Sequence, residues 1–496
     1  MKKLNNLFKY FILFLSLLLI FTCYWLNETF GLLDMDKLLF HMFTPLNGTS
    51  SQMIKSYIFK PLLLTIITFI MLLFIFNIKY KAQILIKLKL FKSKEKEISI
   101  TPHLTWKITF ILLIYSISFF IIKYKVINYL MANIQDSLFI EQNYIDPKNT
   151  NIVFPEKKRN LIYIFLESME FTYSTYEEGG VYYENYIPNL TKLANEETSF
   201  RNEFNGGFTS SRSTTWTASA IVGQTAGIGL YDPFGANEFG GISAYLPGAY
   251  SLGEILEEND YKNVFFIGSD AAFAHRGEYF SQHGNYEIRD LNYAKQKGLI
   301  PEDYYVWWGY EDSKLFEFAK EEILELANEE RPFNFTMLTT NTHHVGGLIE
   351  EDCDIKFDEH LKNAIYCSDK QIYDFVNWIK EQNFYDNTTI VLIGDHLSME
   401  PTFFNNIDNN KRTIYNVFIN PYNKNANTTN RNYSTLDIYP AIISSIGGTI
   451  QGNKLGLGTN LFSEEKTLYE EYGKEYVETE LKYNSKYYKK HILYGK

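Results

Sequence analysis

Three long apolar runs open the chain, at about Tyr10 to Leu26, Pro61 to Ile78 and Ile108 to Ile122, each near the length that crosses a bilayer's hydrocarbon core. The first is longer than a signal-peptide apolar region and no small-residue cleavage site follows Trp25-Leu26, so it reads as a retained helix. Beyond residue 160 the pattern changes. Short apolar runs alternate with helical periodicity: Leu161 to Leu166, then Val264 to Gly268 after a helix around Ser251 to Glu258. Phe333 to Thr339 follows Lys314 to Ala327, and Thr388 to Gly394 follows Lys370 to Glu381. Such alternation predicts an α/β domain with a mainly parallel sheet between helices. The expected organisation is a membrane anchor of about three helices over 1–125, a linker over 126–159, a catalytic domain over 160–464 and a polar tail over 465–496.

Charge orients this plan. Lys2, Lys3 and Lys9 precede the first run, and Lys79, Lys81, Lys87, Lys89, Lys92, Lys94 and Lys96 separate the second from the third. The loop from Asn27 to Ser56 holds only Lys37 and Lys55. Cytoplasmic loops carry the lysine excess, so three crossings place everything after Lys125 outside the cytoplasm. A net charge of −11 with no basic patch beyond the membrane-proximal lysines excludes nucleic acid as a partner.

Candidate chemistry falls where the strand-like runs stop. Glu167 follows Leu166 directly, and Asp395-His396 follows Gly394. Ligands collect at the carboxyl ends of strands in open α/β sheets, and two carboxylates with an imidazole suit manganese, magnesium or zinc. A nucleophile is expected in the hydroxyl-rich stretch Gly206 to Thr217, which precedes a helix-compatible run. A hydroxyl at a helix N-terminus is favoured as an anion and lies beside amides that bind phosphoryl oxygens, although serine and threonine also serve there as simple caps.

The ordered motifs Leu-Glu-Ser-Met-Glu (166–170), Trp216-Thr217, Ile221-Val-Gly-Gln, Phe273-Ala-His-Arg-Gly277, His283-Gly284, Thr342-His-His344, Cys367-Ser-Asp369, Gly394-Asp-His-Leu-Ser-Met399 and Gly456-Leu-Gly458 resemble those of membrane phosphoglycerol transferases. The chain is most similar to the enzymes that decorate osmoregulated periplasmic glucans and more distantly to lipoteichoic acid synthases, all in the alkaline phosphatase and sulfatase superfamily. The resemblance implies Glu167, Asp395 and His396 as metal ligands, with manganese or magnesium favoured over zinc. It implies Thr214 as the fourth ligand and nucleophile, with Thr209, Ser213 and Thr215 selected by other alignments. It gives His343 and Arg276 to the phosphoryl group and glycerol phosphate. It also implies a phosphatidylglycerol-type lipid donor, a glycan or glycerol-phosphate acceptor, and a disulfide between Cys353 and Cys367. Ile267 and Ala274 depart from the His and Trp of the lipoteichoic acid branch. A formylglycine sulfatase is excluded, because Phe208 stands four residues before Arg212 where Cys or Ser is required. A phosphoethanolamine transferase on the same scaffold and a non-catalytic binding domain are the alternatives.

Overall fold

The computed structural model describes residues 2–31, 33–43, 49, 51–77, 80–86, 94–100, 104–202, 205–231, 244–400, 403–404 and 407–496. Two compact units emerge, one of residues 1–33 and 50–129, the other of residues 34–49 and 130–496.

The first unit contains three helices long and apolar enough to cross a membrane, Leu4–Phe30, Ser51–Phe76 and Trp106–Lys123. Pro61 lies in a short π-helical stretch, Ile58–Leu62, which carries the second helix past the missing amide. Between the second and third helices, Tyr80–Ile86 pairs antiparallel with Lys94–Ile100. Of the lysines used for orientation, Lys79, Lys87, Lys89 and Lys92 lie outside the described residues, as does Ile78 at the end of the second apolar run.

The second unit is built on a six-stranded sheet whose strands are numbered here within it: β1 Asn160–Leu166, β2 Lys262–Ile267, β3 Glu287–Arg289, β4 Phe333–Leu338, β5 Thr388–Gly394 and β6 Asn416–Ile419. Their order is β3-β2-β4-β1-β5-β6, parallel throughout except for the antiparallel edge strand β6. Period-two alternation divides the side chains between two cores. Leu161, Tyr163 and Phe165 of β1 enter one with Phe265 and Val391, whereas Ile162, Ile164 and Leu166 enter the other with Phe266 and Leu392. Burial on both faces explains why these strands read as continuous apolar runs.

Register decides what happens at the carboxyl edge. Leu166 pairs with Gly394, while Phe165 and Ile267 both pair with Leu338, so four adjacent strands end nearly level. The first residues past β1 and β5, Glu167 and Asp395, are therefore neighbours across one strand spacing. Gly394 is obligatory for this exit, since a Cβ there would lie 2.0 Å from the Met169 carbonyl oxygen.

Two segments expected to be peripheral join this unit instead. Phe139 and Ile140, within the expected linker, are buried in the core, and Ile152–Val153 pairs with Thr449–Ile450. Past residue 464, Val477, Leu481, Tyr488, Ile492 and Leu493 are buried in that same core. Cys353 and Cys367 form the disulfide the resemblance implied.

Candidate active site

Glu167, Asp395 and His396 converge at the ends of β1 and β5, each almost fully buried, with one ligand atom from each lying within 4.8 Å of the others. Backbone amides hold the ligands in place. Asp395 Oδ1 accepts from the Ser168 and His396 amides at 2.7 Å each, and the Ser168 hydroxyl donates to Glu167 Oε1 at 2.7 Å. His396 Nδ1 lies 2.8 Å from the Leu397 carbonyl oxygen, which fixes its proton there and turns the Nε2 lone pair into the cluster. Nε2 is then 3.4 Å from Asp395 Oδ2 and 3.7 Å from Glu167 Oε1.

That arrangement is a test of fit for a cation. Among the described residues Asp395 Oδ2 is buried without a hydrogen-bond donor, and it faces an imidazole lone pair rather than an N–H. Burial raises the pKa of Glu167 and lifts that of Asp395 to about 6, while it lowers that of His396 toward the neutral imidazole. Two carboxylates and one imidazole lone pair aimed at one point fit a divalent cation.

The structure places the hydroxyls of the Gly206 to Thr217 stretch unequally. Thr217, the first residue of the Thr217–Ala226 helix, has Oγ1 3.2 Å from Glu167 Oε2 and 3.3 Å from His396 Nε2. Thr214 is not brought to the cluster. It lies in the preceding loop, fully buried, where Oγ1 donates to the Ser211 carbonyl at 2.7 Å and contacts Thr435 Oγ1 at 3.0 Å. Three residues are nearly a full turn, so placing the helix start at Thr217 decides which hydroxyl reaches the ligands. Ser211 is also occupied elsewhere, donating to Glu478 at 3.0 Å.

The expected anion-binding groups come from the other two strand ends. Arg276, after β2, is 6% exposed and anchored by Nη2 to Ser269 Oγ at 3.1 Å and by Nε to the Phe273 carbonyl at 3.0 Å. Burial lowers its pKa to about 10, opposed by Glu167, Asp270, Asp290 and Asp395, so it stays charged at neutral pH. His343, after β4, contacts the His344 carbonyl oxygen through Nδ1 at 2.6 Å and packs on Trp308 with ring centroids 4.4 Å apart. Burial lowers its pKa too, with Glu167 acting in opposition. Glu170, in the same motif as Glu167, braces the surrounding loops instead. It pairs with buried Arg412, whose Nε lies 3.1 Å from Oε2, and accepts from the Ser398 amide at 2.8 Å.

A family model described as Sulfatase matches residues 159–448, more than half of the chain. The chain belongs to the sulfatase family. Within that family it is similar to proteins named Phosphoglycerol transferase I. One, from Xanthomonas campestris pv. campestris (strain B100), is 30% identical over 317 residues, 62% of this chain and 43% of the relative. Another, from Escherichia coli (strain SMS-3-5 / SECEC), is 29% identical over 329 residues, 64% and 41% of the two chains. The chain thus spans less than half the length of these curated relatives. Among solved structures, the lipoteichoic acid synthase LtaP from Listeria monocytogenes aligns at 19% identity with a TM-score of 0.49, covering 66% of this chain and 82% of that one. The sulfatase match runs from the residue before β1 through the end of β6 and on to Gly448, so it includes all the candidate ligands.

Proposed function

We propose that the protein transfers phosphoglycerol from a phosphatidylglycerol-type lipid to a glycan or glycerol-phosphate hydroxyl, through a covalent intermediate on Thr217. The observation that carries this reading is the Thr217 hydroxyl, seated at a helix N-terminus and touching both Glu167 and His396. Similarity to phosphoglycerol transferases over most of the second unit supports the choice of transferred group.

Glu167, Asp395 and His396 would hold a divalent cation, manganese or magnesium before zinc, with Thr217 close enough to complete the set. Bound there, it supplies Lewis-acid stabilisation of charge on the phosphoryl oxygens. The free amides at the start of the Thr217–Ala226 helix favour negative charge on Oγ1 and on the phosphoryl group. Thr217 donates its hydroxyl hydrogen to Glu167 Oε2, which gives the proton an acceptor as Oγ1 attacks phosphorus. The new Oγ1–P bond forms as the P–O bond to diacylglycerol breaks, and the departing oxygen takes up a proton. An acceptor hydroxyl then attacks the same phosphorus, and Oγ1 leaves and recovers its proton. Arg276 and His343 bind the transferred group from the flanking strand ends.

The active site would face outside the cytoplasm, where the lysine distribution puts it, and the apolar helices would keep it beside its lipid donor. Thr217→Ala in the full chain should abolish diacylglycerol release from phosphatidylglycerol vesicles, whereas Thr214→Ala should retain turnover and lose only stability, on the order of 1 kcal/mol for one buried hydrogen bond. Turnover by Thr217→Ala, or a preference for phosphatidylethanolamine vesicles, would refute the assignment of nucleophile or of donor respectively.

A further inference from the structure

In sequence, residues 34–49 lie between the first two membrane-length helices, yet they belong to the compact unit that contains the sheet. The nine-residue helix Met35–Phe43 within them is capped by Asp34, whose Oδ1 accepts from the Lys37 amide at 2.8 Å. Two anchors attach this helix to the loop that ends in Thr217. Asp36 Oδ2 pairs with Arg212 Nη2 at 2.6 Å, and Phe40, fully buried, packs on Trp216 with ring centroids 5.4 Å apart. Trp216 is the residue immediately before Thr217.

Lys37 is 4% exposed, and its ammonium donates to the Met399 thioether, three residues past His396. Glu167 and Asp395 lie within its electrostatic reach, and so do the buried imidazoles of His41, His344 and His396. Burying an ammonium costs on the order of several kcal/mol unless charge compensates it, and a thioether is too weak an acceptor to do so. Packing alone would be better served by an apolar side chain. A cation kept at this cost beside the candidate ligands points to an anion that it meets there.

We propose that Lys37 binds the phosphodiester anion of the donor, making the Met35–Phe43 helix a working part of the active site. This rests on the phosphotransfer reading above and adds a residue that the sulfatase match, which begins at residue 159, does not contain. Once a divalent cation is held by Glu167 and Asp395, their charge is no longer available to Lys37, and a phosphoryl oxygen between the two cations satisfies both. Lys37 then faces the anion from the Met399 side, while Arg276 and His343 approach from the ends of β2 and β4. Because the same helix is tied to Arg212 and Trp216, it also positions the loop from which Thr217 emerges.

The test uses the full-length protein with phosphatidylglycerol vesicles and manganese. Lys37→Met keeps the length of the side chain and removes the charge. It should lower kcat/KM by about 10- to 100-fold, the range for losing a hydrogen bond to a charged group, and weaken competition by inorganic phosphate. Lys37→Arg should restore most of both. Manganese affinity and Tm should be unchanged or raised in Lys37→Met, since a buried charge has been deleted, whereas a purely structural lysine would lower Tm. Thr217→Ala separates the two readings. If it abolishes turnover while Lys37→Met stays within about twofold of wild type in kcat/KM and in phosphate inhibition, the role of Lys37 is wrong and the transferase reading stands. If Thr217→Ala turns over normally, the transferase reading itself fails.

Discussion

At the residue scale, the site is a set of buried acids that gain from losing their protons to a cation. Burial raises Glu167, and it raises Asp395 from 3.8 to about 6. A group whose pKa is higher in the folded state binds its proton more tightly there, so it contributes stability that is present below its unfolded pKa and lost as pH rises from 3.8 through about 6. Cation binding requires the deprotonated form. The rise in Tm given by manganese should therefore be small near about pH 5 and grow through neutral pH. Thermal melts with and without manganese across that range check this. A rise that is flat, or largest at the acid end, would contradict the ligand assignment. Glu167, Asp395 and His396 were legible in the sequence because each follows closely on an unbroken apolar run, and strand ends in a parallel sheet are where ligand groups gather. The nucleophile was not legible in the same way. Candidate hydroxyls stand at Thr209, Ser213, Thr214, Thr215 and Thr217, and only the position of the first helical residue separates them, a boundary that pattern alone does not resolve to within a turn.

At the element scale, the level strand ends do most of the positioning. β2, β4, β1 and β5 lie side by side and deliver Arg276, His343, Glu167 and Asp395 to one edge. Their apolar runs and the helices between them were readable from periodicity, and the expected and observed strands agree to within about two residues. The helix Met35–Phe43 was hidden for a physical reason. It is short, it sits between two membrane-length runs, and its partners Arg212, Trp216 and Met399 are far away along the chain. The same holds for the segment past residue 464, whose tyrosines and lysines read as a solvated surface while Val477, Ile492 and Leu493 fill the core. The Cys353–Cys367 bridge ties the loop after β4 to the His360–Lys380 helix across a sequence separation of 14. Closing a loop of that size contributes about 3 kcal/mol in the chain-entropy model. Replacing both cysteines by alanine should lower unfolding stability by roughly that amount and leave the manganese response intact. Denaturant unfolding monitored by tryptophan fluorescence measures it, and an unchanged midpoint would show that the bridge is dispensable.

At the scale of the whole molecule, three apolar helices and a sulfatase-family domain share one chain, and the proposed donor is a lipid. A reporter active only outside the cytoplasm, fused near residue 150, should be active, and a silent fusion would invert the topology. The central claim is that Thr217 carries the phosphoglycerol group between donor and acceptor. The most direct measurement is peptide mass spectrometry of the full-length protein quenched during turnover of phosphatidylglycerol without an added acceptor. The account predicts a glycerol phosphate adduct on Thr217, absent from Thr217→Ala and from protein stripped of divalent cations. An adduct on Thr214 or another neighbouring hydroxyl, or diacylglycerol release with no adduct in this stretch, would contradict it.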